Sequence, residues 1–252
     1  MRVREIVKRA VTGTALERPA RWVDLWITGN RDFLYNEQTE QIITHVLNPD
    51  SNAVDVGAHK GEILKTIVKV APFGKHFAFE PIPYLCEELK RVFPKVEVRG
   101  LALSDDAGEE RFVHVRTNPG YSGLKRRRYR YVEEIEEITV KTVRLDEIVP
   151  EAIPISLIKI DVEGAELQVL QGAEGVLRRD HPVVIFEHEP GGALSYGTEP
   201  TKLYDFLGHC GLRIYLMCDW LQGMPPITKE EFRAQFFAGK NYCFVAVPWN
   251  GM

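Results

Sequence analysis

The sequence has no apolar run approaching the roughly 20 residues that a membrane span requires. Its opening residues, MRVREIVKRAVTG, lack the continuous apolar core of a secretory signal, so a cytoplasmic location is expected. Cysteine is scarce. Cys86, Cys210, Cys218 and Cys243 are widely spaced and form no Cys-x-x-Cys pair. That excludes a disulfide framework or a zinc clamp and leaves buried thiols in a reducing compartment. Neither sign of charge dominates: 32 basic residues against 36 acidic ones give a net charge of −4. A general polyanion binder is normally basic, so no nucleic-acid partner is expected. Internal repeats and low-complexity linkers are also missing. What remains is 252 residues, 44% hydrophobic and 27% charged, the profile of a folded globular chain.

Val3, Ile6, Val7, Ala10 and Val11 share one helical face, with Arg2, Arg4, Lys8 and Arg9 off it. Five apolar residues make a small membrane anchor, so this reads as a capping helix packed on its own domain or on another copy. A homo-oligomer is compatible with that. Trp22, Leu25, Trp26 and Ile27 form a second apolar cluster, and residues 37–47 read as a helix ended by Asn48-Pro49-Asp50. From residue 52 strands and helices alternate. Strands are expected at 53–56, 76–79, 96–103, 155–160 and 183–186, with helices at 62–71, 83–93 and 200–210 and another carrying Leu167, Leu170, Val176 and Leu177. Helical crossovers between strands imply an α/β fold, a doubly wound and mostly parallel sheet. Strands at 214–218 and 242–247 have no strong helical pattern between them and can pair antiparallel. Residues 104–150 break the alternation. Arg111–Val115 and Ile138–Leu145 have period-two character around a polar tip, so a β-hairpin insertion after strand three is expected.

Strand one runs into Asp55-Val56-Gly57-Ala58-His59-Lys60-Gly61. Glycine at a strand end allows a sharp turn and close approach of a ligand, and the next helix start offers free N–H groups. Strand two ends in Phe79-Glu80-Pro81, placing Glu80 25 positions after Asp55. An acid there is where α/β nucleotide folds hold ribose hydroxyls. A dinucleotide fingerprint needs Gly-x-Gly-x-x-Gly, whereas here only Gly57 and Gly61 are present, led by an aspartate. Asp55 would repel a pyrophosphate and suits a cationic ligand. S-adenosylmethionine, with its sulfonium and ammonium groups, meets that description.

Asp-Val-Gly-Ala-x-x-Gly at strand one, Phe-Glu-Pro at strand two, Ala-Leu-Ser-Asp after strand three and Ile-Lys-Ile-Asp-Val-Glu-Gly-Ala-Glu at strand four occur in that order. Together they resemble the FkbM family of methyltransferases over about residues 37–248. The resemblance implies a class I, Rossmann-like methyltransferase fold. It also implies methyl transfer from S-adenosylmethionine to a hydroxyl oxygen of a sugar, polyketide or other secondary metabolite. On this reading residues 1–49 are a helical extension or cap, and 50–248 are the cofactor-binding domain with its insertion at 104–150. Asp55, Gly57, Ala58, His59 and Gly61 shape the methionine side, and Glu80 with Pro81 binds the ribose. Leu101 and Ala102, by their backbone, or Ser104 and Asp105 serve the adenine. His59 stands where the family more often has Asn.

Lys159, Asp161 and Glu163 alternate along strand four and share one face if extended. A lysine in an apolar strand requires a partner, Asp161 or Glu187. Asp161 lies at the carboxyl end of a parallel strand, where α/β folds place ligands, and is the leading acceptor-side candidate. Glu163 is either a helix cap or a catalytic acid; Glu166 reads more simply as a cap. Strand five ends Glu187-His188-Glu189-Pro190-Gly191-Gly192. His188 is the general-base candidate because its unperturbed pKa is near neutral, and the Gly-Gly pair is a candidate hinge for a covering loop. Asp161, Glu187 and His188 are types that suit a divalent cation, though no metal is expected. Five of the six residues Lys125–Arg130 are basic, followed by glutamates at 133, 134, 136 and 137. That pattern fits a self-pairing loop or a lid over an anionic small-molecule acceptor, with Gly120–Gly123 as its flexible approach. Two other functions remain at this point: a nicotinamide oxidoreductase, and a non-catalytic cofactor-binding protein.

Overall fold

The computed structural model describes residues 31–249, apart from 128, 130 and 131. The apolar face at 2–11 and the cluster at 22–27 lie outside the described residues. The elements run α1 (Asp32–Val46), β1 (Asn52–Val56), α2 (Glu62–Val70), β2 (His76–Phe79), α3 (Pro83–Val92), β3 (Glu97–Arg99), β4 (Ala102–Leu103), β5 (Gly108–Val115) and β6 (Ile135–Val143). Then come β7 (Ile155–Ile160), α4 (Glu166–Gln171), α5 (Glu174–Asp180), β8 (Val183–Glu187), α6 (Pro190–Ala193), α7 (Pro200–His209), β9 (Leu212–Leu216), α8 (Met217–Leu221), α9 (Lys229–Ala238) and β10 (Cys243–Pro248).

The main sheet has the order β3-β2-β1-β7-β8-β10-β9. From β3 to β8 all pairings are parallel, and β10 is antiparallel to both of its neighbours. β2 is buried at every position and β1 at all but its first, as central strands covered on both faces must be. The chain leaves β1 toward β2 and β3, then returns to β7 on the other side of β1. That reversal opens a crevice at the carboxyl ends of β1 and β7, where such sheets bind ligands.

Three expectations need correction. The strand expected at 96–103 is two: β3 stays in the main sheet, and β4 leaves it after Gly100 to pair in parallel with β6. With the β5–β6 hairpin this makes a separate three-stranded sheet. Phe112 and Val140 from it pack with Ala102 on Ile82 and Leu85 at the start of α3. The helix expected after strand four is divided into α4 and α5. Lastly, α9 stands between β9 and β10, where no strong helix was expected. A capping box starts it: Thr228 accepts from the Glu231 backbone N–H, and Glu231 accepts from the Thr228 backbone N–H. Phe232 and Phe236, four residues apart, bury its inner face.

α1 packs on α2 and α8 and buries Tyr35, Ile42 and Ile43 in a core shared with Leu157, Ile185 and Val245 of the sheet. Its first two turns thereby come to lie beside the crevice.

Candidate active site

One elongated cavity runs along the carboxyl ends of β1, β2, β7 and β8. Its first half is built on the turn after β1. Gly57 has φ 75°, and a Cβ there would stand 1.9 Å from the Asp161 carbonyl oxygen, so only glycine fits. The backbone N–H groups of Gly57 and Ala58 donate to the Phe79 carbonyl, locking the turn to β2. Glu80, buried at the end of β2, accepts from the backbone N–H of His59 at 2.8 Å and of Ile82 at 2.9 Å. Burial pushes its carboxyl up, partly offset by those two N–H groups. A carboxylate has about four acceptor positions, so two remain for ligand hydroxyls. Beyond Glu80 the walls turn apolar: Ile82, Leu101, Ala102, Leu103 and Phe112. Gly57, Ala58, His59, Glu80, Pro81, Leu101, Ala102 and Asp161 all line the cavity. Gly61 does not; it begins α2 and packs against Leu89 and Phe93. Ser104 is also absent from the lining, its hydroxyl donating to Asp105 instead, so the adenine role assigned to Ser104 and Asp105 finds no support.

The other half is acidic. Lys159 Nζ lies 3.4 Å from Asp161 and 3.7 Å from Asp55. Burial alone would lower its pKa, but Asp161 and Asp55 outweigh that and hold it above the ordinary lysine range. Asp55, expected to shape the methionine side, is not among the residues lining the cavity and is almost wholly buried, 3.7 Å from Lys159. Neither of its oxygens has a hydrogen bond among the described residues. Burial pushes it up, against the pull of Lys159. Glu187, from the last position of β8, also lines the cavity beside Asp161, the next position in the β7–β8 register. Burial and the neighbouring acids Asp161, Glu166 and Glu189 raise its carboxyl well above the usual range. From α1, Tyr35, Asn36 and Thr39 close this end, with Cys243 of β10.

A glycine turn after strand one, a ribose-height acid after strand two and an acidic pocket at strand four form one set. The family model described as the methyltransferase FkbM domain matches residues 55–214, which hold all three. The chain belongs to the FkbM methyltransferase family. Over 215 residues it is 29% identical to the AMB antimetabolite synthetase AmbE of Pseudomonas aeruginosa, covering 70% of this chain and 10% of that protein. Over 156 residues it is 30% identical to the 2-O-methyltransferase NoeI of Sinorhizobium fredii, covering 55% of this chain and 64% of that one. The chain thus matches less than two thirds of the length of either. A crystal structure of an FkbM methyltransferase from Methylobacillus flagellatus aligns over 79% of this chain and 44% of its own, at 16% identity and a TM-score of 0.49.

The FkbM domain corrects the acid–base expectation. His188 does not face the cavity. It follows Glu187 by one residue, and alternation sends it to the opposite face of β8. There it is fully buried, stacked on Phe232 and Phe236 of α9, with Nδ1 3.7 Å from Glu166. It therefore cannot meet Asp161 over a ligand, and the trio Asp161, Glu187 and His188 does not converge. Among the described residues no group of three His, Cys, Asp or Glu side chains gathers to suit a metal ion. Glu166, expected as a cap, makes no cap hydrogen bond; as the first residue of α4 it accepts the Gly164 backbone N–H at 2.8 Å and braces the turn before the helix.

In the described part of the basic loop, Arg127 pairs with Glu163 and, at 2.5 Å, with Glu189, its guanidinium over the Tyr121 ring. Lys125 is fixed by its backbone N–H donating to the Tyr196 hydroxyl. Of the glutamates that follow it, Glu136 pairs with His114 and Glu137 with Arg111. Gly192 does not hinge a loop. It makes a close backbone crossing with Gly164, where a Cβ on Gly164 would come within 2.3 Å of the Gly192 carbonyl carbon. Arg127 and the α1 side chains were not singled out by the sequence reading, and Glu187 entered it only as a partner for Lys159 or a cation ligand. Only Glu187 carried a signal, as an acid at the end of a parallel strand.

Proposed function

We propose that this domain methylates a hydroxyl oxygen of a small sugar or secondary-metabolite acceptor, using S-adenosylmethionine. The observation that carries the reading is the pairing, in one cavity, of a bridled Glu80 at ribose height with an acid-rich end around Lys159. Asp55 and Asp161 suit the cationic amino-acid end of the cofactor, Gly57 and Ala58 leave room for it, Glu80 takes the ribose hydroxyls, and the slot of Ile82, Leu101, Leu103 and Phe112 takes the base. When bound, the cofactor supplies an electrophilic methyl group. The chain's part is to hold the acceptor oxygen about 3 to 3.5 Å from that carbon, exclude water, and accept the hydroxyl proton. Asp161 and Glu187 are the acids available for this; Lys159 fixes Asp161, and Glu163, which also lines the cavity, is paired with Arg127. Because the lining carries more acids than bases, a neutral polyhydroxyl acceptor suits it better than an anionic one. The name of the 2-O-methyltransferase NoeI supports oxygen as the acceptor atom.

The same features weigh against a nicotinamide enzyme, since the buried Asp55 would oppose a pyrophosphate. Calorimetry with S-adenosylmethionine and with NADH tests this. Micromolar-range binding of the former and none of the latter is expected; NADH binding alone would overturn the reading. Transfer of labelled methyl to a panel of hydroxyl acceptors then tests turnover. Cofactor binding without transfer to any of them would favour a non-catalytic binding role.

A further inference from the structure

Glu187 lines the cavity and, among the described residues, has no ion pair with a base. Lys159 is engaged by Asp161 and Asp55, and Arg127 by Glu163 and Glu189. What Glu187 meets instead is another carboxyl, that of Asp161, across the ends of adjacent parallel strands. The ionisable groups around it are Asp161 and Lys159 of β7, Glu189 just beyond β8 and Cys243, directly opposite on β10, with Glu166 of α4 acting from the far face of β8. Apart from Lys159 these are acids or a thiol. Two carboxyl groups side by side in a buried site favour holding one proton between them, because adjacent carboxylates repel.

Taken with Asp55 and Lys159, the cluster of three acids and one base holds a net charge of −2 when fully ionised and −1 with one shared proton. The cofactor read into this cavity carries a sulfonium, and its demethylated product a neutral sulfide.

Resting on the proposed function, we propose that Asp161 and Glu187 are a proton-sharing carboxyl pair whose proton leaves when the sulfonium cofactor enters and is replaced by the acceptor's hydroxyl proton at transfer. Glu187 is thereby the proton acceptor of the reaction. The balance closes. On binding, the pair releases one proton to solvent and the cluster gains the sulfonium charge. On transfer, the acceptor O–H bond breaks and its proton goes to a Glu187 oxygen. The acceptor oxygen's electron pair forms the bond to the methyl carbon, and the carbon–sulfur pair remains on sulfur. The sulfonium charge disappears as the shared proton returns, so the cluster keeps the same total charge throughout.

The test needs no acceptor. Calorimetric titrations of the full chain in buffers of different ionisation enthalpy, from about pH 5 to pH 8, count protons exchanged on binding. S-adenosylmethionine should release a large fraction of one proton, and S-adenosylhomocysteine several-fold less. Glu187→Gln should bind both ligands with little proton release from either. Equal proton release for the two ligands in the wild-type chain would overturn the proposal whether or not the variant folds. So would undiminished release in Glu187→Gln. Failure of both ligands to bind would instead overturn the functional reading beneath it, and this proposal with it. Once an acceptor is known, Glu187→Gln should lower kcat by about 10²–10⁴-fold with KM for the cofactor changed far less.

Discussion

Replacing Lys159 by methionine should destabilise the domain, and the loss should depend on pH. In the wild-type chain Lys159 is the only cation within 4 Å of Asp55 among the described residues, at 3.7 Å, and Asp55 is 1% exposed. Lys159→Met keeps the length and apolar stem of the side chain, so the main change is electrostatic. Removing one partner of a buried pair commonly costs about 3–5 kcal/mol. Here an upper limit can be worked out, because Asp55 can escape by taking a proton. An unfolded aspartate titrates near pH 3.9, so protonating it at pH 7 costs about three units at ~1.4 kcal/mol each, or about 4 kcal/mol. At pH 5 the same escape costs only about 1.5 kcal/mol. The sign follows from linkage. The folded pKa of Asp55 is already raised by burial, and losing Lys159 raises it further. A raised carboxyl is without penalty below its unfolded pKa, and the penalty grows as pH rises toward the folded value. The variant should therefore approach wild-type stability near pH 5 and fall about 3–4 kcal/mol below it near pH 7, about 10 °C in melting temperature for a domain of this size. Urea unfolding at both pH values measures this. Adding Asp55→Asn should recover at least half of the neutral-pH loss. A Lys159→Met chain as stable as wild type at pH 7, or one equally destabilised at both pH values, would refute the idea that Lys159 compensates a buried charge at Asp55.

Glu80→Ala removes the acceptor of two buried backbone N–H groups, so it should destabilise the domain by about 2–5 kcal/mol as well as weaken cofactor binding. Wild-type stability in urea would show that Glu80 does not brace the turn. Gly57→Ala forces a Cβ into the Asp161 carbonyl at positive φ and should lower stability by more than about 3 kcal/mol; a melting temperature within a degree or two of wild type would contradict that geometry. Arg127→Met frees Glu163 and Glu189 and should speed tryptic cleavage at Lys125 and Arg126 by roughly tenfold, since local opening governs such cleavage. Unchanged cleavage would mean that Arg127 does not fasten the loop.

Much of this architecture was legible before the structure. β2 and β7 fall at the expected residues, and β1, β8 and α3 within one residue at either end, because buried parallel strands read as uninterrupted apolar runs bounded by glycine, proline or acids. Glu80 was legible for the same reason: a strand ending in an acid has a fixed address in a doubly wound sheet. β10 is antiparallel as expected, yet the expectation rested on a missing helix and α9 fills that interval. What failed did so where local pattern is silent about partners. The run 96–103 is one apolar stretch in sequence, yet its two halves join different sheets, a choice made by β6 some 40 residues later. α9 was missed although its capping box was present, because Phe232 and Phe236 alone give a thin apolar stripe. Arg127 was read with the neighbouring glutamates, whereas its partners are 36 and 62 residues away.

His188 and Glu187 show the limit most directly. Both sit at the end of one strand, both can titrate, and near-neutral pKa favoured the histidine. The deciding fact was parity along the strand, not chemistry. Register with β7 sets Lys159 opposite Ile185, so the two positions that continue toward the carboxyl end on that face are Asp161 and Glu187. One residue further, the chain faces α9, and the imidazole is sealed between two phenylalanines. The lysine at 159 was thus the better guide to the acids that matter: a cation in a buried strand must have carboxylates within reach. Counting by twos from it along β7 and across to β8 reaches Asp161 and Glu187 and passes over His188.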